Sequence, residues 1–309
     1  MTAFLTLLKR ETWEHRSLVW APLVTAGLIV LGAVVSSLFS ANIGGSVDIR
    51  IGRDGIDFFG QLSSDLESQR NIFGIWMSSL VLPVLLVGLV TVVFYLLDAL
   101  YVERKDRSIL FWKSLPVSDA ATVVSKVVTA LVMLPLWVWA LSLVTGLLVF
   151  AAVALKVSGT PLAPLGQFHV LTWAVLQLTL LVNMLIASLW YAPVAAWLLL
   201  VSAWAKRSPF LWAVVPPALL ALLERTTFDT GYVGQLLANR LVGYFEAIGT
   251  SVTLADDATT EEALGSIRSA YESISAAPLL ADPGLYVGLV VAAVLLFAAI
   301  RLRRWRDDS

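Results

Sequence analysis

Val127–Leu155 reads VVTALVMLPLWVWALSLVTGLLVFAAVAL, 29 residues without a single charge. A helix of roughly 17–25 apolar residues already crosses about 30 Å of hydrocarbon, so this run reads as a membrane span. The segment ahead of it is its opposite. Val102–Lys126, VERKDRSILFWKSLPVSDAATVVSK, is a charged run, an apolar-aromatic patch, a Leu-Pro-Val-Ser turn and a new helix start.

Working outward, the same test finds five more runs, giving spans near Ser17–Phe39, Ile75–Leu100, Val127–Leu155, Val170–Ala203, Pro209–Phe228 and Leu285–Leu302. Composition agrees. Hydrophobic residues make up 59% of the 309 and charged residues 14%, against about 45–50% and about 25% in soluble domains, and mean hydropathy is +0.84. The expected fold is an all-α integral membrane protein, a single transmembrane domain over residues 1–309 with six transmembrane helices. The fourth run, 34 residues long, is too short for two crossings and a turn. It reads as one helix that tilts or projects into the cytoplasm, with a kink at Pro193. The fifth is interrupted by Pro216-Pro217 and Glu224-Arg225.

Lysine and arginine set the orientation. Lys9, Arg10, Arg16, Arg104, Lys105, Arg107, Lys113, Lys126, Lys206, Arg207, Arg301, Arg303, Arg304 and Arg306, fourteen of twenty-one, fall on one face, which the positive-inside rule makes cytoplasmic. Both termini then lie inside. Trp20, Trp76, Trp173, Trp204, Trp212 and Trp305 mark span ends, where amphipathic rings prefer the headgroup layer. Trp137, Trp139, Trp190 and Trp197 lie deeper, for helix packing, lipid contact or an apolar substrate path. The first apolar run is about twice a signal-peptide core and has no clear small-x-small cleavage site, so it reads as a retained span. Ahead of it, Phe4, Leu5, Leu7 and Leu8 mix with Lys9, Arg10, Glu11, Glu14 and Arg16 as in an N-terminal interfacial helix on membrane lipid.

The outer loops carry structure of their own. Val47–Ile51 alternates like a short strand before Arg53-Asp54-Gly55, and Asp57–Arg70 reads as a helix. Residues 229–284 form an extracellular helical loop. In it Val233, Leu236, Leu237, Leu241, Tyr244, Phe245 and Ile248 recur at helical spacing, and Thr259-x-x-Glu262 is a capping box. Asp282-Pro283-Gly284 supplies an N-cap and a first-turn proline for the last span. These helices either pack on neighbouring spans or gate a pathway.

Chemistry is sparse. The net charge of -1 carries no message, the absence of cysteine excludes disulfides and thiolate sites, and His15 and His169 alone exclude a histidine-rich metal site. There is no phosphate loop, H-E-x-x-H or G-x-S-x-G motif, so no catalytic residue, metal site or cofactor site is expected in this chain. Two places put ionisable groups within spans. Asp98, near the end of the second, suits a structural role; Glu224 and Arg225 mark a break or re-entry rather than an ion pair, and with Tyr244 and Phe245 are the candidate gate.

Residues 102–126 are the cytoplasmic coupling segment. Arg104, Lys105 and Arg107 are expected at the headgroups, Ile109, Leu110, Phe111, Trp112 and Leu115 form an apolar-aromatic patch, and Pro116 stops any helix before it. Ser118 and Asp119 then start a new helix that runs into the third span, the shape of a lever. Its bland alternative is an interfacial helix held by lipid.

With Lys9-Arg10-Glu11, six spans, the charged run before Leu115-Pro116-Val117-Ser118 and Lys126, and a broken region after span five, the chain resembles the permease subunit of type-2 ATP-binding-cassette (ABC) exporters. The resemblance implies a coupling helix between spans two and three that docks on a separate ATPase, with Glu11 near the same contact as Arg107 and the Ile109–Leu115 patch. It also implies extracellular or re-entrant gate helices between spans five and six. Two copies of the ATPase, carrying ATP and magnesium, and a second permease subunit as homodimer are the implied partners, with no nucleic acid, in a bacterial cytoplasmic (inner) membrane. The cargo class is hydrophobic or amphipathic: lipid, antibiotic or antimicrobial peptide. A non-transporting membrane anchor or signalling subunit that recruits a cytoplasmic ATPase fits the same docking segment.

Overall fold

The computed structural model describes residues 2–39, 73–74, 76–77, 79–108, 117–158, 167–248 and 275–305. Among them the chain is helical and has no strand. The helices are α1 (Thr2–Glu14), α2 (Ser17–Phe39), α3 (Val81–Asp98), α4 (Tyr101–Lys105), α5 (Asp119–Val128), α6 (Leu134–Val157), α7 (Val170–Trp190), α8 (Ala192–Trp204), α9 (Pro209–Phe228), α10 (Tyr232–Ile248) and α11 (Pro283–Trp305). Six helical stretches are long and apolar enough to cross a membrane. The chain is thus a multi-pass helical membrane protein. The expected strand at Val47–Ile51, the helix at Asp57–Arg70 and the capping box at Thr259 lie outside the described residues.

Local sequence explains the joints. Ser118 caps α5 as expected, its Oγ accepting from Ala121 N–H at 3.1 Å. Asp282 Oδ1 likewise accepts from Gly284 N–H at 2.7 Å and starts α11. Between α5 and α6 the chain makes one wide π turn, Thr129–Met133, in which Leu134 N–H donates to the Thr129 carbonyl five residues back. Pro135 accounts for it: proline offers no N–H to the Leu131 carbonyl and crowds it, and an extra residue in the turn relieves both. The helical stretch Asp119–Lys156 is continuous over 38 residues. At 1.5 Å per residue it is about 57 Å long, nearly twice the hydrocarbon thickness. Part of it therefore projects out of the apolar layer.

The fourth span requires a correction. In place of one helix there are two, α7 and α8, divided at Tyr191, where ψ is 2°. The break lies two residues before Pro193, whose missing N–H deprives the Leu189 carbonyl of its partner. Tyr191 N–H to Ala187 and Ala195 N–H to Tyr191, 2.8 and 2.9 Å, carry hydrogen bonding across it. The fifth span, by contrast, forms in spite of Pro216 and Pro217.

Helix α8 lies at the centre. Ala195, Ala196, Leu199, Val201, Ser202 and Ala203 are buried, and it packs chiefly against α11 and α3. Small side chains there, with Ala99 and Ala299 opposite, let backbones approach closely. Gly88 of α3 serves the same end, since a Cβ would lie 3.0 Å from a methyl of Val138 on α6. The four deep tryptophans are staples between helices. Trp137 Nε1 donates to the Val19 carbonyl, Trp139 to Gln177, Trp190 to Arg240 and Trp197 to Ala213, at 3.0 to 3.3 Å. Of the three expectations, packing between helices is the one these hydrogen bonds show.

Candidate functional site

At one end of the bundle, four segments far apart in sequence bring ionised side chains into the interior. From α1, Glu11 is fully buried. Its carboxylate accepts from Lys126 Nζ at 2.9 and 3.1 Å and from the Tyr95 hydroxyl at 2.9 Å. Lys126, on α5 and equally buried, also reaches Glu103 at 3.0 Å. Glu103, on α4, accepts from Arg10 at 3.1 Å and from Arg303 near the end of α11. Arg303 then reaches Asp119 at 3.1 Å, and Arg10 reaches Glu14 at 2.7 Å.

An isolated ion would not survive here, because removing a charge from water costs several kcal/mol per ion. The cluster meets that cost by sharing. Glu103 faces three cations and Lys126 two carboxylates, so removal of any central member leaves a buried charge exposed to an unbalanced field. The consequence is mechanical. The foot of span three, the N-terminal helix, the short helix after span two and the end of the last span are clamped together, so the described N-terminal and C-terminal helices meet at one end of the bundle.

Arg104 extends the joint. It donates to the carbonyls of Ser202 and Ala205 at 2.7 and 2.8 Å, at the end of α8. Ser202 Oγ in turn accepts from Leu100 N–H and Tyr101 N–H, both at 2.9 Å, and so satisfies the break between α3 and α4. His15 stands against Tyr95, ring centroids 4.9 Å apart. Burial, and then the charge of Lys126, hold its pKa below the usual value. Glu11, Glu14 and His15 present ligand atoms within 4.8 Å of one another, but Lys126 and Arg10 already neutralise those carboxylates. The salt bridges make the arrangement a structural ion joint.

The expected docking residues fare differently. Glu11 is fully buried and its carboxylate anchors Lys126. Arg104, expected at the headgroups, is buried. Arg107 is exposed, in the turn after α4 with φ 56°, a left-handed backbone costly for a residue with a Cβ. Ile109, Leu110, Phe111, Trp112 and Leu115 lie outside the described residues. Asp98 is exposed at the end of α3.

At the other end of the bundle, Glu224 caps α10. Its carboxylate accepts from Thr230 Oγ1 at 2.9 Å and from the backbone N–H groups of Tyr232 and Val233 at 2.8 and 2.7 Å. Arg225 is exposed on α9. Tyr244 is buried and donates to the Asn183 carbonyl at 2.9 Å, while Phe245 is exposed beside it. Helix α9 runs unbroken through Glu224 and Arg225 to Phe228, so the break expected at that pair falls instead at Asp229, where the chain turns before α10.

Lys126, Glu103, Arg303 and Asp119 escape a reading by spacing because, the Lys126–Glu103 pair apart, their partners lie 93 to 200 residues away. One signal was available: each lies within a few residues of a span end, where an acid among bases needs a partner. No family model, curated protein or solved structure matches the chain.

Proposed function

We propose that the chain is the permease subunit of an ABC exporter, with ATP hydrolysed by a separate subunit and both termini cytoplasmic. One observation carries the reading. The foot of span three, directly after residues 109–116, is locked by buried ions to α1, α4 and α11. A displacement delivered to that segment therefore moves three spans rather than one. Such a joint suits a lever pushed from outside the membrane, and the chain itself brings no nucleotide-binding motif to drive it. The ATPase, in two copies with its ATP and magnesium, supplies the chemistry, and a second copy of this chain completes the pathway for a hydrophobic or amphipathic cargo in the bacterial inner membrane.

Replacing Phe111 or Trp112 with aspartate tests the docking step. ATP-hydrolysing activity that co-purifies with the parent chain is lost from the variant, while the variant elutes as the same folded species; undiminished activity rejects docking through this segment. ATP-dependent uptake of a fluorescent amphipathic dye into inverted proteoliposomes then separates a transporter from a membrane anchor that merely recruits an ATPase.

A further inference from the structure

The opposite end of α11 carries a second contact set, centred on Arg240 of α10. Its Nη1 donates to the carbonyl of Trp190 at 3.2 Å and its Nη2 to the carbonyl of Gly284 at 2.8 Å. The guanidinium also lies 4.5 Å from the centroid of the Trp190 ring. Trp190 returns the contact, its Nε1 donating to the Arg240 carbonyl at 3.0 Å. The guanidinium fills the space beside Gly288, where a Cβ would collide with Arg240 Nη2 and displace that flexible tip.

Two features make this more than packing. First, Trp190 is the last residue of α7, at the break before Pro193, where helix carbonyls lose their usual partners. Arg240 thus ties α10 to the point where the fourth span bends. Second, α9 and α10 are lightly held. Among the described side chains of α9 only Ala213 is buried, and most of α10 is exposed apart from Gly243 and Tyr244. The two helices are joined by the Glu224 cap. They form an arm attached to the bundle near Trp197 and again at Arg240, Leu241 and Tyr244, the Leu241 carbonyl accepting from the Tyr191 hydroxyl at 3.0 Å.

We propose that Arg240 is a releasable latch, holding α10 closed against this end of the bundle and fixing the bend of the fourth span. When the guanidinium leaves the carbonyls of Trp190 and Gly284, the arm swings outward. The latch deepens the transport reading, in which α10 belongs to the gate, but it is measurable without ATPase or cargo.

The chain has no native cysteine, so labels can be placed singly. Nitroxides at Gln235→Cys on α10 and Val294→Cys on α11, both exposed positions, report the closure by pulsed electron resonance on the full chain in lipid nanodiscs. The parent shows one narrow distance. Arg240→Gln and Gly288→Ala each add a population displaced by about one helical turn, roughly 5 Å, and the double variant adds no more than either alone. Gly288→Ala favours helix formation, so it reports even where Arg240→Gln fails to fold. Parental distances in either folded variant overturn the latch. Displaced distances in a chain that transports nothing with its ATPase uphold the latch and reject the transport reading alone.

Discussion

Lys126 and Glu11 show how one pair of residues can hold distant segments. Both are fully buried, and Lys126 sits between two carboxylates. Lys126→Met strips both of their shared cation and is expected to cost about 3–5 kcal/mol, read as a lower midpoint of thermal unfolding in detergent. Tyr95→Phe removes one donor from the same carboxylate and should cost only about 1–3 kcal/mol. Equal midpoints for the two variants would contradict the shared-ion account. His15 adds a pH dependence. Its folded pKa lies below 6.5, so below about pH 6.5 the unfolded chain binds more protons than the folded one. Stability is therefore held above that pH and declines as the pH falls toward the folded value. Lys126 opposes protonation, while Glu11, Glu14 and Asp98 favour it and moderate the effect. His15→Phe should flatten the decline in unfolding midpoint between pH 7.5 and 5.5; an unchanged slope would assign the titration elsewhere.

At the scale of elements, joints matter more than spans. Helix α10 begins at a side-chain cap supplied by the preceding helix, Glu224. Glu224→Ala leaves those N–H groups without their acceptor, measurable as faster hydrogen exchange in the first turn of α10 with α11 unaffected. Uniform exchange across both helices would mean that the cap does not hold the arm. The π turn at Thr129–Met133 is a second joint. It sets the rotation of α5, which faces the ion cluster, relative to α6, which faces α2. Deleting one residue there turns one half about 100° against the other. Either the Lys126 contacts or the Val138 packing is then lost, and the deletion variant should not yield a monodisperse protein.

Across the whole molecule, the ion joint places α1 and the end of α11 together, while α10 docks at the other end of α11. Single cysteines at Thr12 and Arg304 should therefore share one labelling behaviour toward an impermeant thiol reagent in sealed vesicles, and one at Gln235 should show the opposite. A chain in which all three label alike would contradict this arrangement. The exposed apolar surface of α9, with Leu211, Val215, Leu219, Leu222 and Leu223 uncovered, is the expected condition of a helix whose solvent is lipid, where apolar exposure carries no penalty.

Much of this was legible in the residues themselves. Span positions follow from uninterrupted apolar runs, and the starts of α5, α10 and α11 follow from Ser118, from the helical recurrence through Ile248 and from Asp282-Pro283, because hydrophobic burial and capping act over a few neighbours. The break at Tyr191 was half legible: Pro193 announces it, but its place depends on which carbonyls neighbouring helices satisfy. The ion joint and the Arg240 latch belong to tertiary structure alone. Lys126 reads as one more positive charge near a membrane face until Glu11 and Glu103 are brought to it. Arg240 reads as a surface arginine until Gly288 makes room and Trp190 ends its helix beside it. Local periodicity determines where helices form; which buried charges neutralise one another depends on long-range Coulomb and hydrogen-bond partners that only the packed bundle brings within reach.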